Sequence, residues 1–142
     1  MTKNPTVLKW LEEMKELLGP KDVMWIDGSD KQTEALRKEA CESGELIKLN
    51  QELLPDCYLH RTNPNDVARV EDRTFICTTN KEDAGPTNNW CAPDEMYKKL
   101  YNIARGSYNG KTMYIIPFSM GPIGSPLAKI GIEVTDSIYV VL

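Results

Sequence analysis

Three arginines, Arg61, Arg69 and Arg73, stand in one polar stretch, and the segment DVARVEDRT sets Asp66, Glu71 and Asp72 around Arg69. A guanidinium presents a planar fork of N–H donors that matches a carboxylate or a phosphate bidentately, so anion recognition is the chemistry these residues offer. The commoner fate of a surface arginine is a solvated charge or an exposed ion pair with a neighbouring acid. Other chemically capable side chains are sparse. Cys41, Cys57, Cys77 and Cys91 stand 16, 20 and 14 positions apart, without the close C-x-x-C pairs of structural zinc sites. Cys77 sits inside the apolar run TFICT and reads as a small buried hydrophobe, not a redox group. The single His60 has no second histidine at helical spacing and reads as a core or solvent-facing residue, not a metal ligand or a base.

Two glycine-rich stretches invite a phosphate-binding reading. GSYNGKT, Gly106 to Thr112, has three residues between its glycines where a P-loop has four, and it follows a helix and precedes a strand, the reverse of the P-loop order. It reads as a helix stop and a turn. PFSMGPIGSPLAKIGIEVTDS, Pro117 to Ser137, holds Gly121, Gly124 and Gly131 with Pro117, Pro122 and Pro126. Glycine lets backbone approach a ligand or another segment closely, while proline restricts the unfolded loop. Such a rigid loop is either a tight connection between buried strands or a scaffold for a binding cleft.

The elements that must position these residues follow from periodicity. Val7, Leu8, Leu11, Met14, Leu17 and Leu18 recur at three- and four-residue steps before Gly19-Pro20, an amphipathic opening helix. VMWID, residues 23–27, is a strand, and Ser29 or Asp30 caps a second helix carrying Ala35, Leu36 and Ala40 and closed by Gly44. Short segments at 46–49 and 57–60 precede the strand TFICT, and residues 79–93 form a long loop in which Trp90 fills a hydrophobic gap. Pro93 starts a helix with Met96, Leu100, Ile103 and Ala104 on one face, ended by Gly106. KTMYIIPF, IGIEV and SIYVVL read as strands. Helices and strands mix without strict alternation, which predicts an α/β or α+β fold with a mixed sheet and flanking helices.

At 142 residues, 41% hydrophobic and 27% charged, the chain has the size and composition of one soluble domain, and no boundary or repeat divides it. A net charge of −4 gives no basic stripe for nucleic acid or anionic lipid. No apolar run is long enough for a spanning helix or a secretory leader, so the chain reads as cytoplasmic.

DVARVEDRT, AGPTNNW and, above all, GKTMYIIPFSMGPIGSPLAKIGIEVTDSIYVV resemble the N-terminal region of the GTP-dependent phosphoenolpyruvate carboxykinases. The likeness covers nearly the whole chain. Members of that family run several times longer, so residues 1–142 are expected to be a single N-terminal, substrate-side domain truncated at its C-terminal end. The resemblance implies a gluconeogenic lyase that converts oxaloacetate and GTP to phosphoenolpyruvate, GDP and carbon dioxide. It implies a parent using GTP/GDP and Mn2+ or Mg2+, acting as a monomer, and completed by the remaining C-terminal part of the enzyme. Arg69 falls on the arginine of the family's VAR segment, which contacts the carboxylate of oxaloacetate or phosphoenolpyruvate, and Glu71 matches a supporting acidic position. The family's P-loop, metal-ligating Lys, His and Asp, reactive cysteine and mobile lid have no counterpart here. No catalytic residue, metal ligand or cofactor site is therefore assigned to this chain, and the chain alone is expected to be inactive. The competing expectations are a free-standing carboxylate- or phosphate-binding or regulatory module, and a partner-binding domain using residues 79–93.

Overall fold

The computed structural model describes residues 2–65 and 70–142. Its elements are α1 (Pro5–Leu18), β1 (Asp22–Trp25), α2 (Asp30–Ser43), β2 (Ile47–Lys48), β3 (Tyr58–Leu59), β4 (Phe75–Ile76), β5 (Asn89–Trp90), α3 (Pro93–Ala104), β6 (Thr112–Met120), β7 (Lys129–Thr135) and α4 (Ile138–Val141), with 3-10 turns at Glu71–Arg73 and Lys81–Ala84. They divide into two compact units, one running up to Arg61 and resuming at Tyr108, the other Thr62–Ser107.

The first unit is built on a mixed sheet of order β1-β6-β7, parallel between β1 and β6 and antiparallel between β6 and β7. This is the α/β architecture that the sequence predicts. Met113, Tyr114 and Ile115 of β6 are 1%, 3% and 2% exposed. Successive strand residues point to opposite faces, so burial of three in a row requires cover on both. Tyr114 packs with Leu36 and Ala40 of α2, Leu46, and Ile138 of α4. Met113 and Ile115 line a small cavity with Val23 and Trp25 of β1 and Leu8 and Leu11 of α1, which places α1 over the opposite face.

Local chemistry fixes the helix ends. The Asn4 side chain accepts from the N–H groups of Thr6 and Val7, Pro5 occupies the first turn, and Gly19 closes α1 at φ 67°, a left-handed conformation that suits glycine. Ser29 caps α2 by accepting from Gln32 N–H at 3.2 Å. The Gln32 amide then reaches back, its Oε1 accepting from Asp27 N–H at 2.8 Å and its Nε2 donating to the Trp25 carbonyl at 2.9 Å. This capping-box variant ties the end of β1 to the start of α2.

Four expectations are corrected. SIYVVL is not a strand: Ile138–Val141 is one helical turn, and Leu142 N–H bonds the Ile138 carbonyl. The Glu45 carboxylate sets it, accepting from Tyr139 N–H at 2.9 Å and from the Ser137 hydroxyl, so capping overrides the β-branched composition. The Gly/Pro loop is shorter than read. Beyond the strands read as KTMYIIPF and IGIEV, β6 runs on through Ser119 and Met120 and β7 starts at Lys129, leaving residues 121–128 to join an antiparallel hairpin. Pro117 is tolerated within a strand for a topological reason. The Ile115 carbonyl accepts from Ile26 N–H, so by strand alternation the Pro117 nitrogen faces the same edge, beyond the last residue of β1 that pairs. TFICT shrinks to Phe75–Ile76, paired in parallel with Asn89–Trp90, and Cys77 is exposed instead of buried. Residues 79–93 likewise hold a 3-10 turn and β5.

Across the hairpin Phe118 faces Gly131, and a Cβ built on Gly131 would lie 2.4 Å from the Phe118 ring. Gly131→Ala is expected to destabilise the chain by about 1 kcal/mol, because the ring must leave its seat. The same substitution beside Phe118→Ala is expected to cost almost nothing. Urea unfolding of the four-member cycle checks this, and an equal cost in both backgrounds would refute the contact. Gln32→Ala removes both ties between β1 and α2 and is expected to cost about 1–2 kcal/mol by the same measurement. Stability unchanged from wild type would count against the tie.

Candidate functional site

The second unit carries a polar cleft of about 840 Å3 lined by Val70, Glu71, Asp72, Thr74, Thr87, Asn88 and Asn89. One wall is the 3-10 turn Glu71–Arg73, the other the approach to β5. The walls are joined chiefly by one side chain. Asn89 Nδ2 donates to the Glu71 carbonyl at 2.7 Å and to the Thr74 carbonyl at 3.2 Å, while β4 and β5 pair in register immediately beyond. Thr74 Oγ1 donates to the Val70 carbonyl at 2.8 Å, and Asn88 Nδ2 to the Ala84 carbonyl at 2.7 Å, so each wall is also tied to its own turn. With the carboxylates of Glu71 and Asp72 beside side-chain amides and hydroxyls in a lining more polar than apolar, the cleft suits a polar, hydrated ligand better than an apolar one.

Sequence-predicted residues fall around this cleft to different degrees. Glu71 lines it and is exposed. Arg69 lies in 66–69, outside the described residues; its chain neighbour Val70 is part of the lining. Arg73 ends the 3-10 turn and is exposed, and Arg61 is exposed in the other unit. Thr87, Asn88 and Asn89, which complete the opposite wall, were not singled out from the sequence as site residues. Their signal was available in AGPTNNW: three consecutive hydrogen-bonding side chains after a Gly-Pro turn inside a long connection.

The remaining candidates resolve into structural roles. His60 is partly buried, with Nδ1 2.7 Å from the Glu45 carbonyl and its ring stacked on Tyr139 at 3.9 Å between centroids. An N–H at Nδ1 donating to that carbonyl fits the core reading. Lys111, the lysine of GSYNGKT, is ion-paired with Asp136, and the segment leads from α3 into β6. Trp90 is half-buried and donates from Nε1 to the Thr78 carbonyl at 2.9 Å, closing the turn after β4. Among the described residues no three His, Cys, Asp or Glu side chains gather as metal ligands, and no helix is long and apolar enough to cross a membrane.

The first unit holds a separate, mostly apolar cleft of about 800 Å3 between the start of α1 and the strands, lined in part by Trp10, Trp25, Ile130 and Ile132, with Asn4 and Asp27 at its polar part. The Asp27 carboxylate accepts from Ser29 N–H at 2.8 Å, which holds its carboxyl below the usual aspartate value. That carboxylate is thus already engaged in shaping the turn into α2.

Comparison with known proteins places this geometry in a family. A model of the phosphoenolpyruvate carboxykinase N-terminal domain matches residues 9–142. The chain is similar to the phosphoenolpyruvate carboxykinase [GTP] of Anaeromyxobacter dehalogenans strain 2CP-C, 52% identical over 141 residues, which covers 99% of this chain and 24% of that protein. The corresponding protein of Corynebacterium efficiens is 50% identical and that of Corynebacterium kroppenstedtii 52%, each again over 99% of this chain and 23% of the relative. The resemblance carried by DVARVEDRT and the β6–β7 hairpin is therefore a true membership: spanning about a quarter of the length of these relatives, the chain belongs to the phosphoenolpyruvate carboxykinase N-terminal domain family.

Proposed function

We propose that this chain is the N-terminal, substrate-side part of a GTP-dependent phosphoenolpyruvate carboxykinase, in which Arg69, the chain neighbour of the cleft residue Val70, holds the carboxylate of oxaloacetate or phosphoenolpyruvate. The parent reaction is the reversible, gluconeogenic conversion of oxaloacetate and GTP to phosphoenolpyruvate, GDP and carbon dioxide, carried out in the cytoplasm by a monomer using Mn2+ or Mg2+. The observation that carries the reading is identity of about half the residues over 99% of the chain to proteins of that name. The family match runs through both compact units without a break, which supports treating residues 1–142 as one N-terminal domain.

The role given to this chain is positioning. As carbon dioxide leaves oxaloacetate, charge develops beside the carboxylate that is retained, and a two-pronged guanidinium at Arg69 keeps that group fixed while it does so. Glu71, two residues on, belongs to the 3-10 turn that follows and supports the orientation of Arg69. Asn89 holds this turn, which follows Arg69 in the sequence, to the opposite wall through the Glu71 and Thr74 carbonyls. The reading assigns the metal ligands and the nucleotide loop to the remaining part of the enzyme, as the family resemblance implies.

In the full-length enzyme, Arg69→Ala is expected to lower kcat/KM for oxaloacetate by roughly 100-fold, the loss of one charge-assisted bidentate contact, with the KM for GTP changed less than about two-fold. Steady-state kinetics with each substrate varied in turn measures both, and an equal loss for the two substrates would overturn the assignment. The purified 142-residue chain is expected to show no GTP-dependent decarboxylation of oxaloacetate in a coupled assay; turnover above the metal-only background would place catalytic groups on this chain and refute the positioning role.

A further inference from the structure

We propose that Cys77 and Cys91 form a reversible dithiol–disulfide pair that takes a small-molecule disulfide such as oxidised glutathione as its oxidant and cross-links the two strands beneath the polar cleft. The parallel register pairs Phe75 with Asn89 and Ile76 with Trp90, where the ladder ends, and Cys77 and Cys91 are the residues that follow directly on each strand. The strands are still side by side at that step. Cys91 N–H donates to the Ile76 carbonyl at 3.4 Å, and Trp90 Nε1 bonds the Thr78 carbonyl, holding the segment after β4 against β5. Residues opposite one another in a parallel pair present their side chains to the same face. Adjacent strands lie about 4.8 Å apart, inside the roughly 4.4–6.8 Å range of Cα separations that disulfides bridge.

Access and selectivity point the same way. Cys77 is exposed and Cys91 half-buried, which suits the first as the attacking thiolate and the second as the resolving thiol. Cys41 lies in α2 and Cys57 beside β3, both in the other compact unit, and neither is a register neighbour of this pair. The Cys77 thiolate attacks one sulfur of the oxidant, forming a mixed disulfide and expelling one thiolate. Cys91, on losing its proton, attacks the Cys77 sulfur and expels the second. Two protein thiols are oxidised, one small disulfide is reduced, and the two protons end on the released thiols. The bond closes the connection between β4 and β5, whose leading ends carry the Glu71–Arg73 turn and Thr87–Asn88, the two walls of the cleft.

The test uses the 142-residue chain in native, mildly alkaline buffer with oxidised glutathione, quenched by alkylation, digested with trypsin and read by mass spectrometry. Lys81 lies between the two cysteines, so the bond is seen as peptide Thr74–Lys81 linked to Glu82–Lys98. This linked pair is expected to outnumber every other cysteine pairing several-fold, to disappear on reduction, and to persist when Cys41 and Cys57 are both replaced by serine. Cys77→Ser is expected to leave a stable glutathione adduct on Cys91, and Cys91→Ser one on Cys77. Separate adducts at Cys77 and Cys91 of the wild-type chain without the linked peptides would overturn the proposal. So would a pairing distribution in native buffer no different from that in denaturant.

Discussion

The first unit depends on the double-sided burial of β6. Met113, Tyr114 and Ile115 together exclude water from both faces of the sheet, and fully burying side chains of this size contributes roughly 1.5–3 kcal/mol each. Everything nearby serves that burial. α1 covers Met113 and Ile115, α2 and α4 cover Tyr114, and the hydrogen bonds of Asn4, Ser29, Gln32 and Glu45 fix where each cover begins. Glu45 joins two such tasks: its carboxylate starts α4 while its carbonyl receives Nδ1 of His60, whose ring stacks on Tyr139 of the same turn.

The second unit is held by a different currency. Of its described hydrophobic side chains only Ala84 is buried, while Tyr97, Leu100 and Ile103 of α3 are 64%, 52% and 68% exposed. Apolar burial therefore supplies little, and the cleft keeps its shape through side-chain to backbone bonds, with Asn89 as the link between walls. A polar side chain bonding carbonyls in a largely exposed setting gives a net of about 1 kcal/mol per bond, so the walls are individually weakly held. That is the environment in which a positioning site gains from constraint supplied next to it, whether by register pairing of β4 with β5 or by a covalent bond across their ends.

What was legible in the sequence divides along the same line. Elements with a strong period or a capping signal are legible: α1 from its apolar steps up to Gly19, α2 between Ser29 and Gly44, and β6 from its run of apolar residues, whereas the Asn4 cap of α1 is not. The failures are places where tertiary pairing or a distant side chain decides. Nothing within SIYVVL announces that Glu45, some ninety residues earlier, will cap it into a helical turn. TFICT has the composition of a five-residue strand, but its partner offers two residues to pair with, so Cys77 emerges into solvent. Amphipathicity identified α3, yet its stripe covers no core in its own unit, because periodicity reports a conformation and not the presence of something to pack against.

The site was legible in part for a related reason. An arginine flanked by acids names a chemistry, but it does not state what fixes the Glu71–Arg73 turn that follows. That information lies in Asn89, eighteen residues beyond Glu71, and it enters only when β5 pairs with β4 and carries the amide to the Glu71 carbonyl. The same two-rung register that brings Asn89 within reach of Glu71 ends at Ile76 and Trp90, the residues just before Cys77 and Cys91. One alignment thus shapes the polar cleft at one end of the pair and sets the spacing of the proposed thiol pair at the other, and a slip of one residue would undo both together.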